Sequence, residues 1–455
     1  MTVEPPLRAK LLFYGDDFTG AADNAAQFAR HGLRTQLFFH HPGLKALRQA
    51  AHQCDVVGVA GTARSLDVAG MTEELLPVLQ DFAALKIPLV QYKCCSTFDS
   101  SPQVGSLGHA MSLMQKTWPT CFLPVVAAAP AFGRYTVFGH HFARAGNDIF
   151  RLDRHPVMSA HPVTPMHESD LQAVLQTQGF ECTAHVDLRR LDQYADEPLA
   201  MLEHLSDRDS AVFDGYTQRH MVTTAASLSA MSQQRTVCAM ASQGLAHGFG
   251  QYWRESSGSQ NPLPTQSLAP TDKLLVLSGS CSVLSAAQIE HARQAGFLCL
   301  RMENPARLAQ EDALWKDLQS KMVQALQSGQ SVVIYTALGP NDPQADAWRS
   351  LTADWAPGEL SRRIGHCFSV LAAMAFREAS LTRLVVAGGD SSSYTMRALG
   401  ADALQPLASH FAQNAHFAAL VSRDKDIDGK EVLLKGGQVG SERLYSLALE
   451  GFAQG

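Results

Sequence analysis

The chain alternates short apolar runs with turn residues and longer stretches of helical spacing. In its first half the runs are "LLFY" at 11–14, "VVGVA" at 56–60, "PLVQY" at 88–92, "VVAAA" at 125–129, "AVFD" at 211–214 and "TVCAMA" at 236–241. Runs without a polar face suit parallel strands buried on both sides, which helical crossovers must connect. The pattern predicts an α/β fold of two domains, each a largely parallel sheet flanked by helices. Residues 255–271, "ESSGSQNPLPTQSLAPT", set prolines among Ser, Gln and Asn with no apolar period and read as a linker. Beyond it the same grammar restarts with "LLVLSGS" at 274–280, "SVVIYTA" at 331–337, "RLVVAGGD" at 383–390, an apolar stretch around 416 and "EVLLKGG" at 431–437. The expected division is a domain over 1–254, the linker, and a domain over 272–455.

Composition narrows the class. Of the 455 residues 46% are hydrophobic and 18% charged, as in a folded soluble enzyme. The formal net charge of −6 argues against nucleic-acid or membrane-surface partners, which need a basic face. The opening "MTVEPPLRAK" lacks a basic segment followed by an apolar core, and no uncharged run reaches spanning length, so a cytoplasmic protein is expected. The nine cysteines contain no CxxC pair, and adjacent Cys94 and Cys95 have no histidine pair nearby; reduced thiols are expected rather than a zinc site.

The candidate chemistry lies where strands end, as ligands do in open α/β sheets. "GDDFTG" places Asp16 and Asp17 after the first apolar run, between Gly15 and Gly20, with Thr19 beside them. Two adjacent carboxylates repel, so both stay ionised only with a cation, an Mg²⁺ or a substrate hydroxyl at hand. The plainer alternative is Asp17 as a helix N-cap with Asp16 in solvent. "GTARS" ends a second run with Thr62, Arg64 and Ser65; "YKCCSTFDSS" ends a third with Lys93, Ser96, Thr97 and Asp99; "GRYTVFGHHFAR" brings Arg134, His140 and His141. Together these are the donors, acceptors and cations that a small polyhydroxy acid requires. His155, His161 and His167 lie in a proline-broken stretch whose spacing matches no metal motif, so that stretch reads as a loop packing over the first domain.

In the second half, "AGGDSSS" puts Gly388 and Gly389 before Asp390, Ser391 and Ser392 at a helix start, an arrangement that suits either a phosphate cradle or a simple cap by Asp390 or Ser391. "SGSCS" with Ser278 and Ser280, and "LKGGQVG" with Lys435, Gly437 and Gly440, repeat the theme. None matches a Walker or dinucleotide motif, yet three Gly/Ser turns at strand ends can converge on one nucleotide.

"GDDFTGAAD", "SGSCSVLSAAQI", "AGGDSSS" and "LKGGQVG", in this order, resemble the four-carbon acid sugar kinases over essentially the whole chain. The resemblance implies a sugar-acid-binding N-terminal domain and an ATP-binding C-terminal domain. It puts the family's DDxTG on Asp16, Asp17, Thr19 and Gly20, its SGS on Ser278 and Ser280, its GGDT-like turn on Gly388 to Ser391, and its K-x-G-x-x-G on Lys435, Gly437 and Gly440. The family's "K-x-D-S-T-x-R-G-N" is only partly met: Lys93, Ser96 and Thr97 match, Cys95 replaces the acid, the Arg-Gly-Asn is absent, and Asp99 offers a compensating carboxylate. This variant is similar to a branch acting on oxo sugar acids, including branched 3-oxo-isoapionate.

What the resemblance implies is ATP-dependent phosphorylation of a terminal hydroxyl. Arg64 and Lys93 would hold the acid's carboxylate, Ser96 and Thr97 its hydroxyls, with Arg134 in support. Asp17 would accept the hydroxyl's proton while Asp16 orients substrate or assists Mg²⁺, or the reverse. A homodimer is compatible with this arrangement. Two rivals stay open: a sugar-acid sensor without chemistry, and a metal-dependent phosphohydrolase built on Asp16 and Asp17.

Overall fold

The computed structural model describes residues 6–161, 163–258, 268–303, 313–355, 358–412 and 415–452. The chain forms two compact units, Met1–Leu263 and Pro264–Gly455.

The first unit is built on β1 (Leu11–Gly15), β2 (Thr35–Phe38), β3 (Val56–Ala60), β4 (Leu89–Lys93), β5 (Leu123–Val126), β9 (His185–Val186), β10 (Ser210–Phe213) and β11 (Val237–Ala241). Between β5 and β9 lie β6 (Arg134–Val137), β7 (His140–Ala145) and β8 (Asp148–Arg151). The main sheet runs β2-β3-β1-β4-β11-β5-β10-β9, every pair parallel. Its central strands are buried throughout, which is why they read as unbroken apolar runs. Register aligns Gly15 with both Ala60 and Lys93, so three strands deliver their carboxyl ends to one rim. Strands β6, β7 and β8 form a separate antiparallel sheet. The helix Gln243–Ser256 runs two residues past 254 before the stretch read as linker, of which 259–267 lie outside the described residues.

The second unit contains β12 (Leu275–Ser278), β13 (Leu298–Arg301), β14 (Val332–Tyr335), β15 (Arg383–Ala387), β16 (Ala403–Ala412), β17 (Ala415–Val421) and β18 (Glu431–Lys435). The order is β13-β14-β12-β15-β18-β17-β16; the first five are parallel, and β17 pairs antiparallel with both neighbours. The apolar stretch around 416 is therefore the middle of an antiparallel meander rather than another parallel strand. A core of Val276, Ile289, Val333, Val385, Leu433 and Tyr445 lies against the sheet. At the opposite end from the glycine turns, buried Arg383 donates to the carbonyls of Ala269 and Ala448, each at 2.7 Å, and pairs with Glu431. Leu268 and Phe452 exchange backbone hydrogen bonds of 2.8 and 2.9 Å beside it.

Candidate active site

At the rim of β3, β1 and β4, backbone bonds first join the strand ends: Asp16 N–H to the Lys93 carbonyl (3.1 Å), Gly61 N–H to that of Gly15 (2.8 Å) and Arg64 N–H to that of Asp16 (3.1 Å). Four charged side chains meet there. Arg64 grips Asp16 through Nη2 to Oδ1 at 2.8 Å and Nε to Oδ2 at 3.3 Å, and Nη2 also reaches Asp17 Oδ1 at 3.0 Å. Lys93 Nζ stands 3.3 Å from the same Asp17 oxygen. The other oxygen of Asp17 accepts from Thr19 Oγ1 at 3.0 Å and Gly20 N–H at 3.2 Å, so Asp17 is the N-cap of the helix Phe18–Arg30. Both sequence readings of the pair are thus partly right: Asp17 does cap a helix, but Asp16 is buried rather than solvated. A Cβ on Gly20 would stand 1.8 Å from Lys93 Nζ and 2.3 Å from Asp17 Oδ1, so the glycine leaves room for the ammonium and the carboxylate to meet at the helix start.

Exposure separates the two acids. The side chain of Asp16 is 3% exposed and that of Asp17 25%. Burial pushes the Asp16 carboxyl above its ordinary value, although Arg64 and Lys93 oppose it. Burial acts on Asp17 too, but Arg64, Lys93 and the Gly20 and Thr19 donors outweigh it and hold that carboxyl well below the usual range. Burial alone would lower the Lys93 ammonium; Asp17 and Asp16 reverse this and raise it. The cluster sets two carboxylates against a guanidinium and an ammonium.

This donor set does not fit a resident divalent cation. Both Asp16 oxygens are taken by one guanidinium, Asp17 shares its reachable oxygen with two cations, and no group of three or more His, Cys, Asp or Glu among the described residues could hold a metal. In this arrangement Arg64 and Lys93 supply the positive charge beside the paired carboxylates.

The loop after β4 lies alongside. Thr97 Oγ1 donates to Asp99 Oδ1, Cys95 Sγ lies 2.9 Å from Thr97 Oγ1, and the charge of Arg64 helps to hold the buried Asp99 carboxyl below its ordinary value, against the effect of burial. Thr97 and Asp99 thus satisfy one another. His141 fixes this loop from β7, with Nε2 2.8 Å from the Ser96 carbonyl and Nδ1 3.0 Å from Thr136 Oγ1. Burial pulls its imidazole down to about 4, so it stays neutral. Thr164, from the histidine-bearing loop, places Oγ1 3.0 Å from His161 Nδ1 and 3.5 Å from Asp99 Oδ2, which packs that loop onto the same wall. Arg134 directs Nη1 to the carbonyls of Phe132, Gly133 and Arg144, closing its own turn.

In the second unit, register sets Ser278 beside Ala387 and Ala387 beside Lys435, which brings the three glycine turns together. Their closeness is measurable: a Cβ on Gly279 would stand 2.0 Å from Ser391 Oγ, and one on Gly437 2.6 Å from Ser280 Oγ. Gly388 has φ +120, a conformation L side chains rarely adopt, and it starts the helix Gly389–Leu399 without any side-chain cap bond. The predicted cap by Ser391 is therefore not formed, and the side chain of Asp390 lies outside the described residues. Helix start and crowded glycines fit an anion held by backbone N–H groups.

Three hydroxyl and ammonium groups face inward instead. Ser392 Oγ donates to the Gly388 carbonyl at 2.7 Å. Ser278 Oγ is buried with no hydrogen-bond partner among the described residues. Lys435, 0% exposed, directs Nζ to Gln288 Oε1 at 2.9 Å and Ser285 Oγ at 3.3 Å, beneath the turn rather than outward from it. Ser282 and Ser285 in turn donate to the Gly437 carbonyl, and Gln288 donates to those of Val439 and Ser441, so Gly437 and Gly440 sit in a turn braced from below.

Two family models match the chain, one in each unit. Residues 11–249 match the family model described as a sugar-binding N-terminal domain, and 275–444 that of a nucleotide-binding C-terminal domain. A sugar-binding unit followed by a nucleotide-binding one defines a kinase of sugar acids. The chain belongs to the four-carbon acid sugar kinase family. It is 34% identical to the 3-oxo-isoapionate kinase of Paraburkholderia graminis, covering 98% of this chain and 95% of that one. It is 29% identical to the 3-oxo-tetronate kinase of Escherichia coli K12, covering 86% and 95%. A solved Haemophilus influenzae structure shares the fold, with a TM-score of 0.71 at 22% identity over 96% of this chain and 98% of that one. Membership of a kinase family sets aside the sensor and phosphohydrolase readings. No helix among the described residues is long and apolar enough to cross a membrane.

Proposed function

We propose that this enzyme transfers the γ-phosphoryl group of ATP to a terminal hydroxyl of an oxo sugar acid, with 3-oxo-isoapionate as the first candidate and 3-oxo-tetronate as the second. The observation that carries the reading is the rim cluster of Asp16, Asp17, Arg64 and Lys93 in the unit matched as sugar-binding. Support for the branched acid comes from the near full-length similarity to the Paraburkholderia kinase.

The Arg64 side chain is 27% exposed, and its Nη1 makes no hydrogen bond among those of the described residues; it is the cation best able to receive a carboxylate. Asp17, the more exposed acid, takes the hydrogen bond of the attacking hydroxyl. The cations and donors around it hold its carboxyl well below the usual range and make it an orienting acceptor first: the proton stays on the hydroxyl until transfer is advanced, as a loose phosphoryl-transfer transition state permits. The hydroxyl oxygen forms a bond to γ-phosphorus, the bond from phosphorus to the bridging oxygen breaks, ADP departs with that electron pair, and the hydroxyl proton passes late to Asp17 and from it to solvent. Asp16 is the buried counter-charge that aims Arg64. ATP phosphates would lie on the backbone N–H groups of residues 280, 389–391 and 436–437, because those of Gly279 and Gly388 already donate to the Ala387 and Lys435 carbonyls. Water exclusion during transfer and a cytoplasmic setting are parts of this reading, and a homodimer is a separate expectation, tested by light scattering.

The test is ADP release from ATP in Mg²⁺ buffer against threonate, erythronate, 3-oxo-tetronate and 3-oxo-isoapionate. A kcat/KM for 3-oxo-isoapionate well above the others is expected. Equal rates with threonate would overturn the choice of an oxo acid, and ATP turnover that ignores every acid would overturn the acceptor class.

A further inference from the structure

The turn that carries Arg64 is held by a residue that touches none of the rim charges. Glu74 projects from the helix Val68–Leu85, where Oε1 accepts the Thr62 N–H at 2.6 Å and Oε2 accepts Thr62 Oγ1 at 2.6 Å. Oε1 also receives the hydroxyl of Tyr14, and that hydroxyl accepts the Ala63 N–H at 3.3 Å. The two amides immediately before Arg64 are thereby pinned to one carboxylate and one phenol. Burial, reinforced by the charge of Glu74, pushes the Tyr14 phenol well above its ordinary value, which keeps it a donor. Its ring is wedged against Tyr92, with centroids 5.5 Å apart.

We infer that Glu74 is a positioning residue for the sugar acid, acting through Thr62 and Ala63 to aim the Arg64 guanidinium. Arg64 rides on a helical turn of three residues, Ala63–Ser65, and its three contacts to Asp16 and Asp17 depend on where that turn stands. Charge-assisted bonds to consecutive elements of a short turn are strong and directional. The anchor is not what keeps its helix in place: Met71, Leu75, Val78, Leu79 and Phe82 bury that helix against the unit's core. Loss of the carboxylate therefore releases the turn while leaving the helix packed, and a displacement near 1 Å at a charged site costs on the order of 100-fold.

The inference rests on Arg64 being the cation that meets the acid, and the experiment separates the two. Steady-state kinetics with 3-oxo-isoapionate and ATP are measured for Glu74→Ala, Glu74→Gln, Thr62→Val, Arg64→Ala and the Glu74→Ala/Arg64→Ala pair. Glu74→Ala is expected to raise the KM for the acid by about 10- to 100-fold, with the KM for ATP unchanged. Glu74→Gln restores most of it, because the amide oxygen still accepts from Thr62 N–H and Tyr14 while its nitrogen donates to Thr62 Oγ1. Thr62→Val, which removes one donor and keeps the side-chain size, shifts the same KM by a smaller factor and serves if Glu74→Ala does not fold. In the Arg64→Ala background, Glu74→Ala is expected to add less than about twofold, as coupled groups do. An acid KM untouched by Glu74→Ala, or the same factor with and without Arg64, overturns the positioning role. Normal acid KM in Arg64→Ala overturns the reading of Arg64 itself.

Discussion

In the first unit, two carboxylates, a guanidinium and an ammonium meet at adjacent strand ends and neutralise one another. In the second, adjacent strand ends carry glycines and serines, and the buried ammonium of Lys435 has no carboxylate partner among the described residues. Both stand where parallel strands stop, but they present different materials. A charged rim recognises its ligand by charge, so an entering acid meets the Nη1 edge of Arg64 while Asp16 and Asp17 hold the rest of that guanidinium. A backbone rim exchanges nothing, because its N–H groups are already oriented and the glycines keep the space free. The first should respond to loss of charge at constant shape, the second to added volume at constant charge.

Asp17→Asn is the most severe test of the charged side. Asparagine keeps the helix cap through its oxygen but turns an N–H donor where Asp17 accepts from Arg64 and Lys93, so the expected loss of about 10²- to 10⁴-fold in kcat reports the charged acceptor rather than the cap, with ATP affinity by calorimetry unchanged. A near-normal kcat would mean the rim does not depend on that charge. Gly388→Val is the matching test of the backbone side. With φ at +120, it should raise the KM for ATP by about 5- to 100-fold while leaving the acid's KM alone. Equal damage to both constants would erase the distinction.

Two titrations sharpen it further. Burial holds the His141 imidazole near 4 in the folded chain, against an ordinary 6.5, so the unfolded chain binds the proton first as pH falls. Stability is whole above pH 6.5 and is lost toward pH 4, by about 2 kcal/mol at pH 5, and His141→Gln should flatten that slope in urea titrations. Burial likewise pulls Lys435 from 10.5 to about 8. Between these values the folded chain binds fewer protons than the unfolded one, so stability rises with pH across that window. Phosphates bound above this ammonium would favour its charged form. ATP affinity should therefore fall by about threefold between roughly pH 7.5 and 9, an effect absent in Lys435→Met.

The strands of the two rims were readable because burial on both faces leaves unbroken apolar runs. The segments missed were "TQLF" in β2, whose Thr35 and Gln36 break the apolar run although they are buried, and the partly exposed "LCLR" in β13 and "RYTV", "HHFARA" and "DIFR" in the small antiparallel sheet. Asp16, Asp17, Arg64 and Lys93 could be grouped from sequence because each follows or ends such a run. Nothing local told which way a side chain would turn, so Arg134 closes its own hairpin and Lys435 lies under its turn rather than over it. Glu74 gave no signal at all, since an acid in the middle of a helix reads as part of a solvated face.

The pairing of Leu268 with Phe452, clamped by Arg383, means that the second unit begins and ends at the same place. Its order of elements is then a convention rather than a necessity. A few residues bridging 452 to 268, with a new opening at the exposed Gln327–Gln330 turn, would give a circular permutant in which every strand keeps its neighbours. The nucleotide-binding half is in that sense a closed cassette, whose three turns depend on its contacts and not on where the polypeptide happens to start.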